Sequence, residues 1–155
     1  MPSLIFFRLP VPHRYFSSSI RPKVSEKRYL CTYVTELYMI IEDLDIVKRL
    51  IAEKEGGLVE FKETTGQLER GMETLCAFLN GNGGTVLFGV NDKGKIIGQD
   101  VSDKTKRDIA DAINRLEPVT TVQISYVPLP DNEKKVIIFR VEDSKPSRPF
   151  CYKGR

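Results

Sequence analysis

The sequence predicts an α+β domain in which a mixed β-sheet packs with about three helices. Three kinds of segment support this prediction: apolar residues at helical spacing, short runs rich in β-branched and aromatic residues, and turns of glycine, proline, asparagine and aspartate. An apolar share of 41% in 155 residues is enough for one hydrophobic core. The longest apolar runs are far shorter than the roughly 20 residues that a membrane-spanning helix needs, so no membrane partner is expected.

A helix is expected at the start of the folded region. From Ile41 onward, apolar residues recur three and four positions apart with charged residues between them, as on one face of an amphipathic helix. This helix should end before Gly56-Gly57. Its apolar positions are Ile41, Leu44, Val47, Leu50 and Ile51.

The centre of the chain predicts a strand, a helix and a second strand in succession. We expect strands at residues 58–62 and 85–90, a helix at 67–79, and a short strand at 95–97 that closes a hairpin-like turn. Glycines stop the helix. The apolar stripe of this helix consists of Leu68, Met72, Leu75, Cys76 and Leu79.

The last third predicts one helix followed by two strands. Asp103 can cap a helix that runs to about Leu116. Strands at residues 122–127 and 135–141 should be joined by the turn Pro130-Asp131-Asn132.

The first 40 residues differ from the rest in composition. They contain six Lys or Arg residues and four prolines, but only Glu26 and Glu36 as acids, which leaves the remaining residues at a net charge of −1. We therefore predict an irregular basic leader at residues 1–40 and a domain at residues 41–155. Two interpretations of the leader stay open: an organelle transit peptide, or an over-extended reading frame whose true start is Met39.

The cysteines and the single histidine exclude several classes of site. Cys31, Cys76 and Cys151 are odd in number and lack metal-ligand spacing, which favours free thiols in a reducing compartment, and hence the cytoplasm. His13, the only histidine, lies in the leader. Hydrolase triads and histidine-based zinc sites are therefore not expected.

A series of short motifs follows at ordered separations from the end of the first helix. They are Glu55, Glu60-Phe61-Lys62, Ala77-Phe78, Asn80, Gly83-Gly84, Gly89-Val90 and Asp92-Lys93-Gly94. Together they resemble the Schlafen AlbA-like (AlbA_2) family, which is described as DNA-binding. Gly56 departs from the pattern, since the family usually has serine there. In this family Arg148-Pro149-Phe150 would lead into one more strand, so the resemblance implies that the chain is truncated at its C-terminus.

The resemblance implies a nucleic-acid-binding module, for DNA or RNA, at the N-terminus of a longer transcriptional regulator whose downstream domains are missing here. Phosphate contacts would come from basic residues, whereas the acids around the third helix favour a solvated mixed-charge face there. The lack of excess positive charge outside the leader gives no support for strong nonspecific binding. The candidate basic residues are Lys62, Lys93, Lys95, Lys104, Lys106 and Arg107.

A second function that the resemblance implies is a metal-dependent endoribonuclease acting on transfer RNA and ribosomal RNA. Glu55, Glu60 and Asp92 would then hold Mg²⁺ or Mn²⁺, which stabilises charge on a phosphoryl group and activates a water molecule. The competing interpretation is structural: Glu60 pairs with Lys62 across strands and Asp92 forms a turn. No cofactor is certain on the residues alone.

The loop of Asn80 and Gly83-Gly84 has two interpretations as well. Exposed backbone N–H groups could face a ligand, but a glycine helix stop followed by close backbone approach to the sheet is favoured. The loop is not a Walker motif, because no Gly-x-x-x-x-Gly-Lys-Ser/Thr occurs in the chain, which argues against ATP hydrolysis. A third functional alternative is a protein-interaction or dimerisation module, in which the sheet edge left open by the missing last strand pairs with another chain, as in a homodimer.

Overall fold

The computed structural model describes residues 43–53 and 56–154. The predicted leader at residues 1–40 and the candidate acid Glu55 lie outside these ranges. The helices are α1 at residues 43–52, α2 at Leu68–Asn80 and α3 at Asp103–Ile113. Single 3₁₀ turns occur at Thr65–Gln67 and Lys145–Ser147.

Two sheets accompany these helices. The strands are β1 (Val59–Lys62), β2 (Gly84–Phe88), β3 (Leu116–Glu117), β4 (Gln123–Pro128), β5 (Lys135–Val141) and β6 (Cys151–Tyr152). Four of them form one sheet in the order β1-β2-β5-β4, and β3 pairs with β6. Strands β1 and β2 are parallel and are connected through α2, whereas β2, β5 and β4 are antiparallel. The sheet is therefore mixed, and the α+β prediction is confirmed.

Helices cover both faces of the four-stranded sheet. On one face, Val86 and Phe139 pack with Leu75 of α2 and Ile109 of α3. On the opposite face, Val47 of α1 is fully buried in a second cluster with strand residues such as Leu87. Because strand side chains alternate between faces, the nearly continuous apolar run of β5 serves both clusters.

Helix α2 approaches the sheet very closely at Gly71. A Cβ atom at this position would overlap Cζ of the Phe88 ring, so glycine is required here for space. The Phe88 ring in turn contacts Phe139 in a tilted arrangement, with 5.0 Å between ring centroids. This contact links the crossover helix to the centre of the sheet.

The structure corrects the predicted bounds of two elements. Ser102 caps α3, not Asp103: its hydroxyl accepts the N–H of Thr105, and the Thr105 side chain accepts the N–H of Ser102. The helix ends at Ile113 and does not reach Leu116, because Leu116 pairs with Tyr152 in the small sheet. The short strand predicted at residues 95–97 is reduced to one antiparallel bridge, between Val90 and Ile96.

None of the helices in the described part of the chain is long and apolar enough to cross a membrane.

Candidate nucleic-acid interface

The carboxyl ends of β1 and β2 lie at the same end of the sheet, where two loops meet. Gly89 and Val90 donate their N–H groups to the carbonyl oxygen of Lys62, at 2.8 and 3.2 Å, and so continue the parallel pairing past the strands. The carboxyl edge of parallel strands is where α/β proteins commonly place ligand-binding loops. Ligand-binding side chains are therefore expected at this end of the sheet.

The loop after β2 presents two lysines on a turn built by Asn91. The Asn91 side-chain oxygen accepts the N–H groups of Lys93 (3.1 Å) and Lys95 (2.9 Å), while its carbonyl oxygen accepts the N–H of Gly94. Gly94 has φ +74, the left-handed region that glycine tolerates. Lys93, Lys95 and Asp92 are all exposed on this turn.

The same loop is joined to the start of β5. The backbones of Gln99 and Lys135 exchange two hydrogen bonds of 2.9 Å, and Gly98 lies against the Lys134 side chain. This arrangement brings Lys134 and Lys135 to the end of the sheet that carries Lys93 and Lys95. The sequence did not indicate Lys134 or Lys135, because nothing local links them to a turn 40 residues earlier.

These four residues, which we call the lysine edge, form no ion pair with any carboxylate in the described ranges. Two other basic residues that were predicted to contact phosphate are paired with acids. On α3, Lys104 pairs with Asp108 at 2.6 Å and Lys106 with Asp103 at 3.7 Å. Their neighbour Arg107 is exposed on the same helix. Within the lysine edge, Lys93 and Lys95 are exposed and Lys134 and Lys135 are half-buried. Their ammonium groups, unlike those of Lys104 and Lys106, are not engaged by a carboxylate of the described ranges.

Lys62 and Glu60 form an ion pair along β1. The Lys62 ammonium group donates to the Glu60 carboxylate and, at 3.1 Å, to the Phe61 carbonyl oxygen, and only 12% of the Lys62 side chain is exposed. The pair lies within one strand, on the sheet face that α2 and α3 cover, since Glu60 is level with Val86. Lys62 therefore has little freedom to meet a phosphate.

The predicted metal site of Glu55, Glu60 and Asp92 is described only in part. Glu60 is engaged by Lys62, Asp92 is exposed on the Asn91 turn, and Glu55 is not described. No three histidine, cysteine or acidic residues of the described ranges are grouped closely enough to hold a metal ion.

The loop at Asn80 is held by contacts to the end of the chain. The Asn80 amide donates to the Phe150 carbonyl oxygen and its oxygen accepts the Phe150 N–H, both at 2.8 Å. Gly83, at φ +79, has no room for a Cβ atom beside the Val141 carbonyl oxygen, and Gly84 none beside the Phe78 ring. All of these contacts support the loop itself.

Arg148 also bonds to the backbone of this loop. Its guanidinium group donates to the carbonyl oxygens of Leu79 (3.0 Å) and Gly81 and to the Asp143 carboxylate at 2.5 Å. The hydrogen bond from Arg148 holds the pKa of Asp143 below its ordinary value, despite an opposing effect of burial. Arg148 thus satisfies backbone carbonyl groups at the C-terminal end of α2 and connects them to Asp143.

A second charge cluster surrounds Glu69 at the start of α2. Its carboxylate accepts hydrogen bonds from Arg115 (3.2 Å), the Tyr152 hydroxyl (3.1 Å) and Lys153. Lys153 is the main cause that lowers the pKa of Glu69, and burial raises the pKa of Tyr152. These cations are occupied in joining the small sheet to α2.

A groove of about 590 Å³ lies at the amino ends of β1 and β2, between α1 and the sheet. Its lining includes Gly83, Thr85 and Arg140, with Asp43 and Glu142 among its acidic residues. It is at the opposite end of the sheet from the lysine edge. The two features are therefore separate.

Comparisons with known proteins agree with this fold. Residues 55–155 match the family model described as Schlafen, AlbA_2. A similar solved structure is the solution structure of the N-terminal domain of a protein related to the ATP-dependent DNA helicase RecG, from Nitrosomonas europaea. It has a TM-score of 0.55 and 25% sequence identity, and the match covers 70% of this chain and 78% of that one. No curated protein matches the chain. Since the family model spans well over half of its length, the chain belongs to the Schlafen, AlbA_2 family.

Proposed function

We propose that this chain binds nucleic acid through the lysine edge, whose ammonium groups contact backbone phosphates. The observation that carries the proposal is the position of Lys93, Lys95, Lys134 and Lys135 at one end of the sheet without carboxylate partners in the described ranges. Family membership and the likeness to a domain of a RecG-related protein support it. On the same basis, the chain serves as the nucleic-acid-binding module of a regulator-like protein.

The affinity for nucleic acid should come from short-range contacts of the lysine edge and should depend on salt. Outside the leader the chain carries a net charge of −1, and Asp92, Asp131 and Glu133 are exposed in the same turns. Long-range attraction from the domain as a whole is therefore weak. Lysines that release counterions from phosphates should still give an affinity that falls with salt, with a logarithmic slope of about −0.9 per phosphate contacted on duplex DNA.

The test compares two double variants of the full chain with the same change in charge. Lys93→Glu with Lys95→Glu reverses two charges on the lysine edge; Lys104→Glu with Lys106→Glu reverses two on α3. Binding to labelled double-stranded DNA, single-stranded DNA and transfer RNA would be measured by fluorescence anisotropy over a salt series. We expect the first variant to lose about tenfold or more in affinity and to show a shallower salt slope, while the α3 variant loses less.

Equal losses in the two variants would assign the effect to net charge and would contradict the proposed surface. Absence of measurable binding to all three nucleic acids at low salt would contradict the function itself. Running the same samples on a denaturing gel after incubation with Mn²⁺ or EDTA separates binding from cleavage. Metal-dependent cleavage that Glu60→Ala abolishes would favour the ribonuclease alternative.

A further inference from the structure

The outer edge of β4 pairs with no strand in the described part of the chain. β4 is the terminal strand of the sheet and is bonded to β5 on one side only. Natural proteins commonly protect such edges with lysine, other charges, or a bulge. Here the thirteen residues from Pro118 to Pro130 include no charged residue, in a chain in which 29% of residues are charged.

The hydrogen bonding of the adjacent turn shows which groups of β4 face outward. Leu129 donates its N–H to the carbonyl oxygen of Lys134, at 2.9 Å. Leu129 and Lys134 therefore form a hydrogen-bonded pair that continues the register of β4 and β5, in which Val127 lies opposite Val136 and Ser125 opposite Ile138. Hydrogen-bonded and non-hydrogen-bonded pairs alternate along an antiparallel ladder. The odd-numbered residues of β4 therefore bond to β5. The N–H and C=O groups of Ile124 and Tyr126 point away from the sheet.

These outward groups suit pairing with an identical strand. In an antiparallel arrangement centred on Ser125, Ile124 of one copy lies opposite Tyr126 of the other, and this contact occurs twice by symmetry. Each such pair exchanges two backbone hydrogen bonds, which gives four. Pro128 has no N–H to donate, so it limits the pairing at the next outward position.

The side chains are also compatible with self-pairing. Ile124 is 36% exposed and lies on the sheet face of α2 and α3, level with Phe139, and Tyr126 packs on that face. Residues directly opposite in an antiparallel pair share a face, so the ring of Tyr126 would cover Ile124 of the second copy. Since β4 is uncharged, no like charges meet across the axis.

We propose that a second copy of this chain binds along β4 and extends the four-stranded sheet into a continuous eight-stranded sheet in a symmetric dimer. The interface is small, so a dissociation constant on the order of 10–100 μM is expected. The proposed interface is at the β4 edge of the sheet, and β1 forms the opposite edge.

Light scattering of the full chain over a concentration series tests the dimer. The mass should rise from 17.6 kDa toward twice that value. Ile124→Lys places two cations in the interface, and Ile124→Pro removes an outward N–H while leaving the bonds to β5 intact. Both variants should stay monomeric, whereas Ala110→Lys, which adds the same charge on exposed α3, should dimerise like the native chain. A native chain that stays monomeric at several times the upper dissociation constant would overturn the proposal, as would unchanged dimerisation of both Ile124 variants.

A crosslinking experiment tests the register independently of stability. In this register Ser125 of one protomer would lie opposite Ser125 of its partner, as a non-hydrogen-bonded pair. The two Cα atoms would be about 4.5 Å apart, a distance that a disulfide can bridge. Under mild oxidation Ser125→Cys should give a covalent dimer. Gln123→Cys, which would face Val127 of the second copy, and the native chain should give background levels. Equal crosslinking of Ser125→Cys and Gln123→Cys would contradict this register.

Discussion

At the level of single residues, Arg148 shows how distant parts of the chain support one loop. Its guanidinium group bonds the carbonyl oxygens of Leu79 and Gly81, nearly 70 residues earlier, together with the nearby Asp143 carboxylate. Carbonyl groups at the end of a helix lack partners within the helix, so a charged donor there satisfies groups that would otherwise need water. The sequence indicated that Arg148 belonged to a motif, but its partners depend on the fold.

The Asp143 carboxylate should make stability depend on pH. Because Arg148 lowers the pKa of Asp143 from its ordinary value of 3.8, the folded chain binds this proton less readily than the unfolded chain. The ion pair therefore stabilises the fold above the unfolded pKa, and this stabilisation is lost as pH falls through the folded pKa. We expect the native chain to have a higher unfolding free energy than Asp143→Asn. This difference should reach its full size above about pH 5 and become smaller as the pH falls further. Urea unfolding over a pH series measures it.

Glu142→Gln is the matched control for this experiment. It removes one negative charge from the adjacent residue but no partner of Arg148. The shrinking difference should therefore be specific to Asp143→Asn. A difference between the native chain and Asp143→Asn that stays constant from neutral pH into acid would contradict the stated role of the pair.

At the level of elements, the close approach of α2 to the sheet depends on Gly71. In an exposed helix, Gly→Ala would stabilise by up to about 1 kcal/mol through helix propensity. Here the added Cβ atom would overlap the Phe88 ring, which is fully buried and cannot move aside freely, and overpacking typically costs about 1–3 kcal/mol. We expect Gly71→Ala to lower the unfolding free energy, as measured by urea denaturation.

Gly57→Ala provides the comparison, because a Cβ atom at Gly57 would meet no heavy atom within 4 Å and its φ is not positive. This variant should be neutral or stabilised by up to about 1 kcal/mol, through a less flexible unfolded chain. If Gly71→Ala were as stable as Gly57→Ala, the helix would have to shift from the sheet without cost, and the tight packing described here would be wrong.

The elements also show which structural features are readable from sequence. Helix α2 and strands β2 and β5 were predicted because burial imposes a local periodic or continuous apolar pattern on their residues. The two-residue strands β3 and β6 are too short to carry such a pattern. At α3, Ser102 and Asp103 are both good capping residues, and the choice of Ser102 rests on its reciprocal bonds with Thr105.

At the level of the whole molecule, the candidate interface was only partly predictable. Lys93 and Lys95 adjoin a recognisable Asp-Lys-Gly turn, whereas Lys134 and Lys135 join them only through the pairing of Gln99 with Lys135. Conversely, Lys104 and Lys106 look like equivalent candidates in the sequence, but they bond to acids on their own helix. Charge alone does not show which cations are available, because availability depends on partners that the fold selects.

The two faces of the sheet should differ in stability. Helix α2 has seven buried residues. In α1, over residues 43–52, Val47 is the one buried residue, and Leu44, Leu50 and Ile51 are half-buried. Local opening is easiest where few apolar contacts are lost. We therefore expect amide hydrogens of α1 to exchange faster than those of α2 and β2, through an opening that leaves the α2 face intact. Native-state hydrogen exchange in low denaturant measures this difference.

Two core variants determine whether the faces open separately. Val47→Ala removes the one fully buried anchor of α1 and should speed exchange in α1 with little effect on α2. Leu75→Ala creates a cavity on the other face, at a cost of about 2–5 kcal/mol, and should speed exchange throughout the sheet. Equal protection of α1 and α2 in the native chain would show one cooperative unit. In that case the small number of buried residues in α1 would understate how strongly it is held, because both helices share the strands whose alternate side chains fill the two clusters.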